Sequence, residues 1–224
     1  MNTLSKEQFA EWNESMSLKY DPDLCHESPN PVIRWLEKKR VSMLLRALDV
    51  QPTCRTLEIG CGKGNILSEL PGKLVGLDLS QNNLRFARQR VQGELILGNA
   101  EDASSLVSGL FDRVYCTEVI EHVQHPEKVL CEMAKCLKSD GTAVVTVPNE
   151  TLINRLKTAM RRLGVISWLL PADVHPVHNP WHLHIFTRAE IRQLCEKYFD
   201  SVTVRTTPIL PIHFIITLKK GRPA

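Results

Sequence analysis

The sequence is short of several things, and each shortage removes a class of protein. No run of about 18 apolar residues occurs, so nothing reads as a membrane span. The net charge is only +3, with 28 Lys and Arg against 25 Asp and Glu and no concentrated basic block, which argues against a dedicated nucleic-acid binder. Seven cysteines form no CxxC spacing. Cys61, Cys116, Cys131 and Cys136 fall in segments that read as core strands or helices, so buried thiols in a reducing cytoplasm are expected rather than disulfides or zinc. The first residues, MNTLSKEQFAEWNES, lack a positive start followed by an apolar run, so no secretory leader is expected there. Repeats and low-complexity stretches are also missing. What is present is ordinary: 43% hydrophobic and 24% charged residues in a 224-residue chain, enough to bury the core of one domain.

From about residue 54 onward, short apolar runs alternate with helical segments, the pattern of a parallel sheet with crossover helices. Strands are predicted over 55–59, 73–78, 94–97, 113–117 and 142–147. Two more, 201–205 and 213–218, are separated by a short proline-containing segment and should pair antiparallel. The expected fold class is therefore α/β: a Rossmann-like, mostly parallel seven-stranded sheet, last strand reversed, with helices on both faces. The clearest helix is 126–137, stopped by Ser139-Asp140-Gly141. Upstream, Asn30-Pro31 opens a helix, an Asn cap with Pro in the first turn, and Val32, Trp35, Leu36, Leu44, Leu45 and Leu48 follow at helical spacing. Residues 1–50 thus read as a helical cap, and 51–224 as the main domain.

The segment Leu57-Glu58-Ile59-Gly60-Cys61-Gly62-Lys63-Gly64-Asn65 follows a strand and precedes a helical stretch. Glycines there let backbone pass close to a ligand and take up φ > 0. The spacing is Glu-x-Gly-x-Gly-x-Gly, whereas the dinucleotide fingerprint, G-x-G-x-x-G, brings a helix N-terminus to a pyrophosphate. A carboxylate just before the turn suits a ligand with an amino group and no phosphate, such as S-adenosylmethionine. Glu58 would hold its α-amino group, directly or through water. The next strand ends at Asp78, followed by Leu79, where an acid can accept both ribose hydroxyls. The competing reading of Asp78 is a helix cap before Ser80. Thr117, at the end of the fourth strand, falls at the same C-terminal sheet edge.

With Glu118-Val119-Ile120-Glu121-His122-Val123, Pro126, Leu137-Lys138-Ser139-Asp140-Gly141 and Val147-Pro148-Asn149, these motifs resemble the class I S-adenosylmethionine-dependent methyltransferases that act on small molecules. The likeness is to the methyltransferase type 11 and ubiquinone-biosynthesis O-methyltransferase group. It extends to Asn30-Pro31 with Arg34, to Asn154-Arg155-Leu156-Lys157 and to Leu170-Pro171. It implies that Gly60 and Gly62 carry the cofactor turn and that Arg34 contacts the cofactor. Asn99, Ala100 and Glu101 would then face adenine, a side chain taking the exocyclic amine and a backbone N–H a ring nitrogen, while Thr117 lies beside the methionine part.

Glu118, Glu121 and His122 stand at i, i+3 and i+4, so on a helical turn they would share a face able to hold Mg²⁺ or another divalent metal. Such a metal would lower the pKa of an acceptor hydroxyl. The motif also resembles the metal site of small-RNA 3′-terminal 2′-O-methyltransferases, in which a second histidine comes from a later stretch; His182-Leu183-His184-Ile185-Phe186-Thr187-Arg188 is similar, and His182 would supply it. Without metal, His122, with Glu121 beside it, is the candidate general base, since an ordinary imidazole titrates near neutral pH.

Residues 151–170 form an insertion in which Leu152, Leu156, Met160 and Leu163 make an apolar stripe and Arg155, Lys157, Arg161 and Arg162 lie largely off it. A lid packed over the pocket, within a lid region of about 150–186, is the preferred reading; a peripheral membrane contact is the other. His175, His178, His182 and His184 lie in the proline-interrupted loop beyond. The expected function is O-methylation of a small phenolic or hydroxylated acceptor in the cytoplasm. The alternatives are RNA 3′-terminal 2′-O-methylation, which calls for a concentrated basic patch that the sequence does not show, and a non-catalytic S-adenosylmethionine-binding protein.

Overall fold

A computed structural model describes residues 4–19, 28, 30–164 and 180–220. Among them, seven strands form one sheet: β1 (Arg55–Ile59), β2 (Lys73–Asp78), β3 (Glu94–Leu97), β4 (Phe111–Thr117), β5 (Leu137–Pro148), β6 (Ser201–Thr206) and β7 (His213–Lys219), in the order β3-β2-β1-β4-β5-β7-β6. Pairing is parallel from β3 through β5, and β7 runs antiparallel to both β5 and β6. The strand order reverses between β1 and β4, and ligands of open α/β sheets bind in the crevice outside the carboxyl ends of strands at such a point.

The described helices are α1 (Lys6–Lys19), α2 (Pro31–Leu48), α3 (Gln81–Ala87), α4 (Ala103–Leu106), α5 (Pro126–Cys136), α6 (Glu150–Arg162) and α7 (Arg188–Cys195), with 3₁₀ turns at Leu67–Glu69 and Ala100–Asp102. Their caps are written in the sequence. Asn30 accepts the backbone N–H of Val32 and Ile33 ahead of Pro31, and Thr187 with Glu190 closes a capping box on α7. Two apolar clusters cover the two faces of the sheet. One is built on Leu57, Val114, Val145 and Met133, the other on Leu44, Leu48, Leu67 and Tyr115.

Two local expectations need correction. Helix α5 ends at Cys136, and the chain enters β5 directly at Leu137, so Ser139-Asp140-Gly141 lies inside the strand, where the β4–β5 register shifts between Phe111 and Arg113. The apolar periodicity of α2 misassigns its first turns. Val32 is 58% and Trp35 37% exposed, while the buried face is Glu37, Arg40, Val41, Leu44 and Leu48. The stripe of α6 is partly covered: Leu152, Leu156 and Met160 are half-buried, Leu163 is 75% exposed, and Glu150 is the one buried residue on this helix among those described. Leu170-Pro171, His175 and His178 lie outside the described residues. The six described cysteines are all free thiols. No described helix is long and apolar enough to cross a membrane.

Candidate active site

The glycine turn after β1 is held from below. The N–H groups of Gly60 and Cys61 both donate to the Leu77 carbonyl, at 2.7 and 2.9 Å. Gly60 has φ +76°, and a Cβ there would come within 2.3 Å of the Val119 side chain. Gly62, at φ +49°, has no described atom within 4 Å of the place a Cβ would take, so the turn presents bare backbone to an open side.

Asp78, buried at the end of β2, ties the turn to the next helix. Its Oδ2 accepts the Gly62 N–H at 2.7 Å and its Oδ1 the Ser80 N–H at 2.8 Å. The Asn83 side chain bonds this carboxylate as well, and of its roughly four lone-pair sites that leaves about one for a hydroxyl donor. The helix cap of α3 is Ser80, whose Oγ accepts the Asn83 N–H, so the competing reading of Asp78 as that cap falls away. Burial pushes the Asp78 carboxyl above its ordinary pKa. Leu79 follows, half-buried.

Glu58 is 2% exposed, and its Oε2 accepts the Tyr115 hydroxyl at 2.8 Å. Burial raises its pKa to about 8; the Tyr115 hydrogen bond and, less, the Arg40 charge oppose that, while Asp78 adds to it. A carboxyl in this state lacks a full counter-charge, and a ligand ammonium would supply one.

At the adenine-side loop, Asn99 caps the 3₁₀ turn, its side-chain oxygen accepting the Glu101 N–H at 2.9 Å, and Ala100 is buried behind it. The Glu101 carboxylate is turned away, accepting the His125 N–H at 2.9 Å and facing Lys128 at 3.5 Å. Arg34 also departs from expectation. It is exposed and donates to the Ser28 carbonyl at 3.0 Å, because the inner face of α2 begins one turn later. The arginine that enters the sheet edge is Arg40, 4% exposed, hydrogen-bonded to Thr117 and Thr146 and paired with Glu37. Thr117 itself shares a 2.8 Å hydrogen bond with Thr146. Sequence reading passed over Arg40 and Glu37. Two opposite charges in register with Val41, Leu44 and Leu48 were the available signal.

The Glu-Glu-His motif is divided by its backbone. Residues 118–125 form turns and bends, and Glu118 takes φ +54°, so the shared helical face does not exist. Glu118 swings to the other side, where its Oε1 accepts the Thr146 hydroxyl at 2.9 Å and its Oε2 lies 3.7 Å from His213. Glu121, His122 and His182 do come together, with one potential ligand atom of each within 4.8 Å of the others. Glu121 is 1% exposed and, among the described residues, neither of its carboxylate oxygens has a hydrogen-bond partner, a costly state for a carboxyl. Burial, with Glu118 nearby, drives its pKa well up. His182 Nδ1 is hydrogen-bonded to Glu150, a residue that no sequence motif marks, and the second oxygen of Glu150 is buried without a partner among the described residues.

His122 Nδ1 lies 3.1 Å from the Trp181 carbonyl, and its ring packs edge-on against His182 at 4.7 Å. Burial, and secondarily His182, lowers its pKa to about 3, so the ring is neutral at physiological pH. A carbonyl can only accept, so Nδ1 carries the proton and Nε2 keeps the lone pair. His184 is structural, its Nε2 on the Val123 carbonyl at 3.0 Å, while the N–H groups of Leu183 and His184 pin their own segment to the Glu121 carbonyl.

Comparison with known proteins places this geometry. Residues 57–145 match the methyltransferase domain family. A ubiquinone biosynthesis O-methyltransferase of Xanthomonas campestris pv. campestris (strain B100) is 33% identical over 133 residues, 55% of this chain and 55% of that protein. One of Thiobacillus denitrificans is 27% identical over 190 residues, 78% of this chain and 76% of that protein. The chain thus spans about half the length of the first of these curated relatives. Among solved structures, magnesium protoporphyrin IX methyltransferase from Synechocystis PCC 6803 with bound S-adenosylhomocysteine superposes with TM-score 0.68 at 16% identity, covering 95% of this chain and all of that one. A possible histamine N-methyltransferase from Thermotoga maritima gives 0.65 at 18%, covering 95% and 100%. The fold is that of these methyltransferase structures, and the likeness to the methyltransferase domain family covers residues 57–145, about two fifths of the chain.

Proposed function

We propose that the protein methylates a hydroxyl oxygen of a small, phenolic or otherwise hydroxylated acceptor, with S-adenosylmethionine as donor. The observation carrying this reading is the placement of two incomplete sites along one sheet edge: a bare glycine turn with Asp78 and Glu58, and the Glu121 carboxyl beside His122 and His182. In this reading Asp78 takes the ribose hydroxyls, Glu58 the amino group, and Gly60 and Gly62 let the backbone lie against the ligand. Asn99, Ala100 and Leu79 border the adenosine. Glu101 and Arg34 drop out as contacts because their side chains are committed elsewhere, and Thr117 acts with Arg40 to fix the end of β4. S-adenosylmethionine supplies an electrophilic methyl group, and the chain's contribution is to align an acceptor oxygen with it and exclude water.

The residues at the second site fit a divalent cation. Glu121, His122 and His182 would hold it, with Glu150 orienting the His182 ring. Two imidazoles beside a carboxylate suit Mn²⁺ or Zn²⁺ better than Mg²⁺. When bound, the ion would make an acceptor hydroxyl more acidic. The same chemistry would serve an RNA 2′-hydroxyl; the small acceptor is preferred because the sequence relatives that align here are named as O-methyltransferases of ubiquinone biosynthesis.

Calorimetric titration with Mn²⁺ tests the metal: micromolar or tighter binding, lost in Glu121→Leu, supports it, and identical heats for both proteins would remove it. We retain the division into a cap at 1–50 and a methyltransferase domain at 51–224 with a lid at about 150–186. For α6 we propose contact with a membrane surface that admits a lipid-like acceptor, supported by Leu163 beside exposed Arg155 and Arg162. Flotation with anionic vesicles should carry the protein upward, and Arg155→Glu with Arg162→Glu should release it; a protein that stays with the load contradicts this.

A further inference from the structure

The turn after β4 carries a strained residue that neither incomplete site uses. Glu118 takes φ +54°, a left-handed angle that costs a non-glycine residue energy, and such outliers gather at functional positions. The backbone is pinned there, the Glu118 N–H donating to the Thr146 carbonyl at 3.1 Å. One side-chain oxygen is pinned as well: Oε1 accepts the Thr146 hydroxyl at 2.9 Å and lies 4.0 Å from the Arg40 guanidinium. Thr146 is itself tied to Thr117 at 2.8 Å and to Arg40 at 3.2 Å. The carboxylate is thereby held in one orientation, with Oε2 left to face His213.

His213 opens β7 and pairs with Pro148 at the end of β5, which brings its ring to the same carboxyl edge of the sheet as Glu118. Its Nε2 lies 3.7 Å from Glu118 Oε2, too far for a hydrogen bond. Among the described residues its Nδ1 is buried without a partner. Burial lowers the His213 pKa, so the ring is neutral, and the facing carboxylate favours the tautomer with the proton on Nε2. The pair thus offers one donor and one acceptor that do not satisfy each other, and an oxygen about 2.8 Å from each would bridge them. The pair is not sealed: 15% of the His213 side chain and 29% of the Glu118 side chain are exposed. It borders the Glu121 cluster closely enough for the Glu118 charge to raise the Glu121 pKa.

We propose that Glu118 and His213 form a second acceptor subsite, which takes a hydroxyl other than the one that is methylated. A hydroxyl both donates and accepts, so it satisfies the carboxylate and the imidazole N–H together. A keto oxygen or a methoxy group only accepts, and would set its lone pair against Glu118. An ammonium only donates, and would leave the His213 N–H bare. Such mismatches are costly in a mostly buried site, so the pair selects acceptors that carry two free hydroxyls. The subsite rests on the reading of the protein as one that methylates a hydroxyl, and in that reading neither residue contacts the cofactor.

Calorimetric titration of the full chain saturated with S-adenosylhomocysteine tests it, with phenol, catechol and resorcinol as probes. The tighter of the two dihydroxybenzenes should bind at least about tenfold better than phenol. His213→Phe and Glu118→Gln should each bring that ratio close to one. Each variant is first titrated with S-adenosylhomocysteine as proof of folding, and its affinity should stay within about threefold of the intact chain. Equal affinity of the three probes for the intact protein, or a preference that survives in either folded variant, overturns the subsite and leaves the hydroxyl-acceptor reading standing. If the intact chain binds S-adenosylhomocysteine but none of the probes at millimolar concentration, the hydroxyl-acceptor reading fails, and the subsite with it.

Discussion

Glu58→Gln is expected to make the ligand-free protein more stable at pH 8–9 while weakening S-adenosylhomocysteine binding by about 10- to 100-fold. The first effect follows from burial. The folded chain holds the Glu58 proton up to about pH 8, well above an unfolded carboxyl, so this group's contribution to stability is full below about pH 4.5 and is lost as pH rises through 8. Gln keeps an oxygen for the Tyr115 hydroxyl and never ionises. The gain should be about 1–3 kcal/mol at pH 9, on the order of 2–4 °C in Tm per kcal/mol, and should vanish near pH 5. The second effect follows from the ligand's ammonium, which would turn a strained acid into half of an ion pair. Binding near pH 7 should then expel the Glu58 proton. Titrations in buffers of different ionisation enthalpy should report close to one proton released by the intact protein and none by Glu58→Gln. Equal proton counts in the two would separate Glu58 from the ligand.

Glu121→Leu obeys the same logic at the second site and should show a larger swing. A buried carboxyl with both oxygens unpartnered destabilises the fold that contains it, and an apolar side chain of similar size relieves that by about 1–3 kcal/mol. Intact protein in Mn²⁺ at 100 times its dissociation constant should gain about 2.7 kcal/mol, by mass action. The variant should start higher in Tm and gain nothing from the ion. A variant that melts lower than the intact chain in the absence of metal would show that Glu121 has a structural role instead.

These two positions show where sequence alone was enough and where it was not. The strands β1, β2 and β3 were legible to the residue, since each is a short apolar run bounded by turn residues, and Glu58, Gly60, Gly62 and Asp78 follow from their ends. The Asn30 cap was legible for the same reason, being local chemistry. Long-range choices were not. Whether Glu118 joins Glu121 depends on one backbone angle, φ +54°, which periodicity assumes to be helical. Arg34 and Arg40 both sit on α2, and only the way that helix packs on β5 and β7 decides that Arg40 is the one turned inward. Glu150 and His213 reach the site from segments far along the chain, His213 standing 3.7 Å from Glu118. No spacing in the sequence announces either.

Calorimetric titration of the full chain with S-adenosylhomocysteine, with Asp78→Ala beside it, tests the central claim most directly. Asp78 both faces the ribose in this account and holds the Gly62 and Ser80 N–H groups in place, so its loss removes a ligand contact and loosens the turn. The predicted result is micromolar or tighter one-to-one binding by the intact protein, weakened at least 100-fold in Asp78→Ala with the variant still folded. Absence of binding by the intact chain, or equal affinity in the variant, would contradict the account.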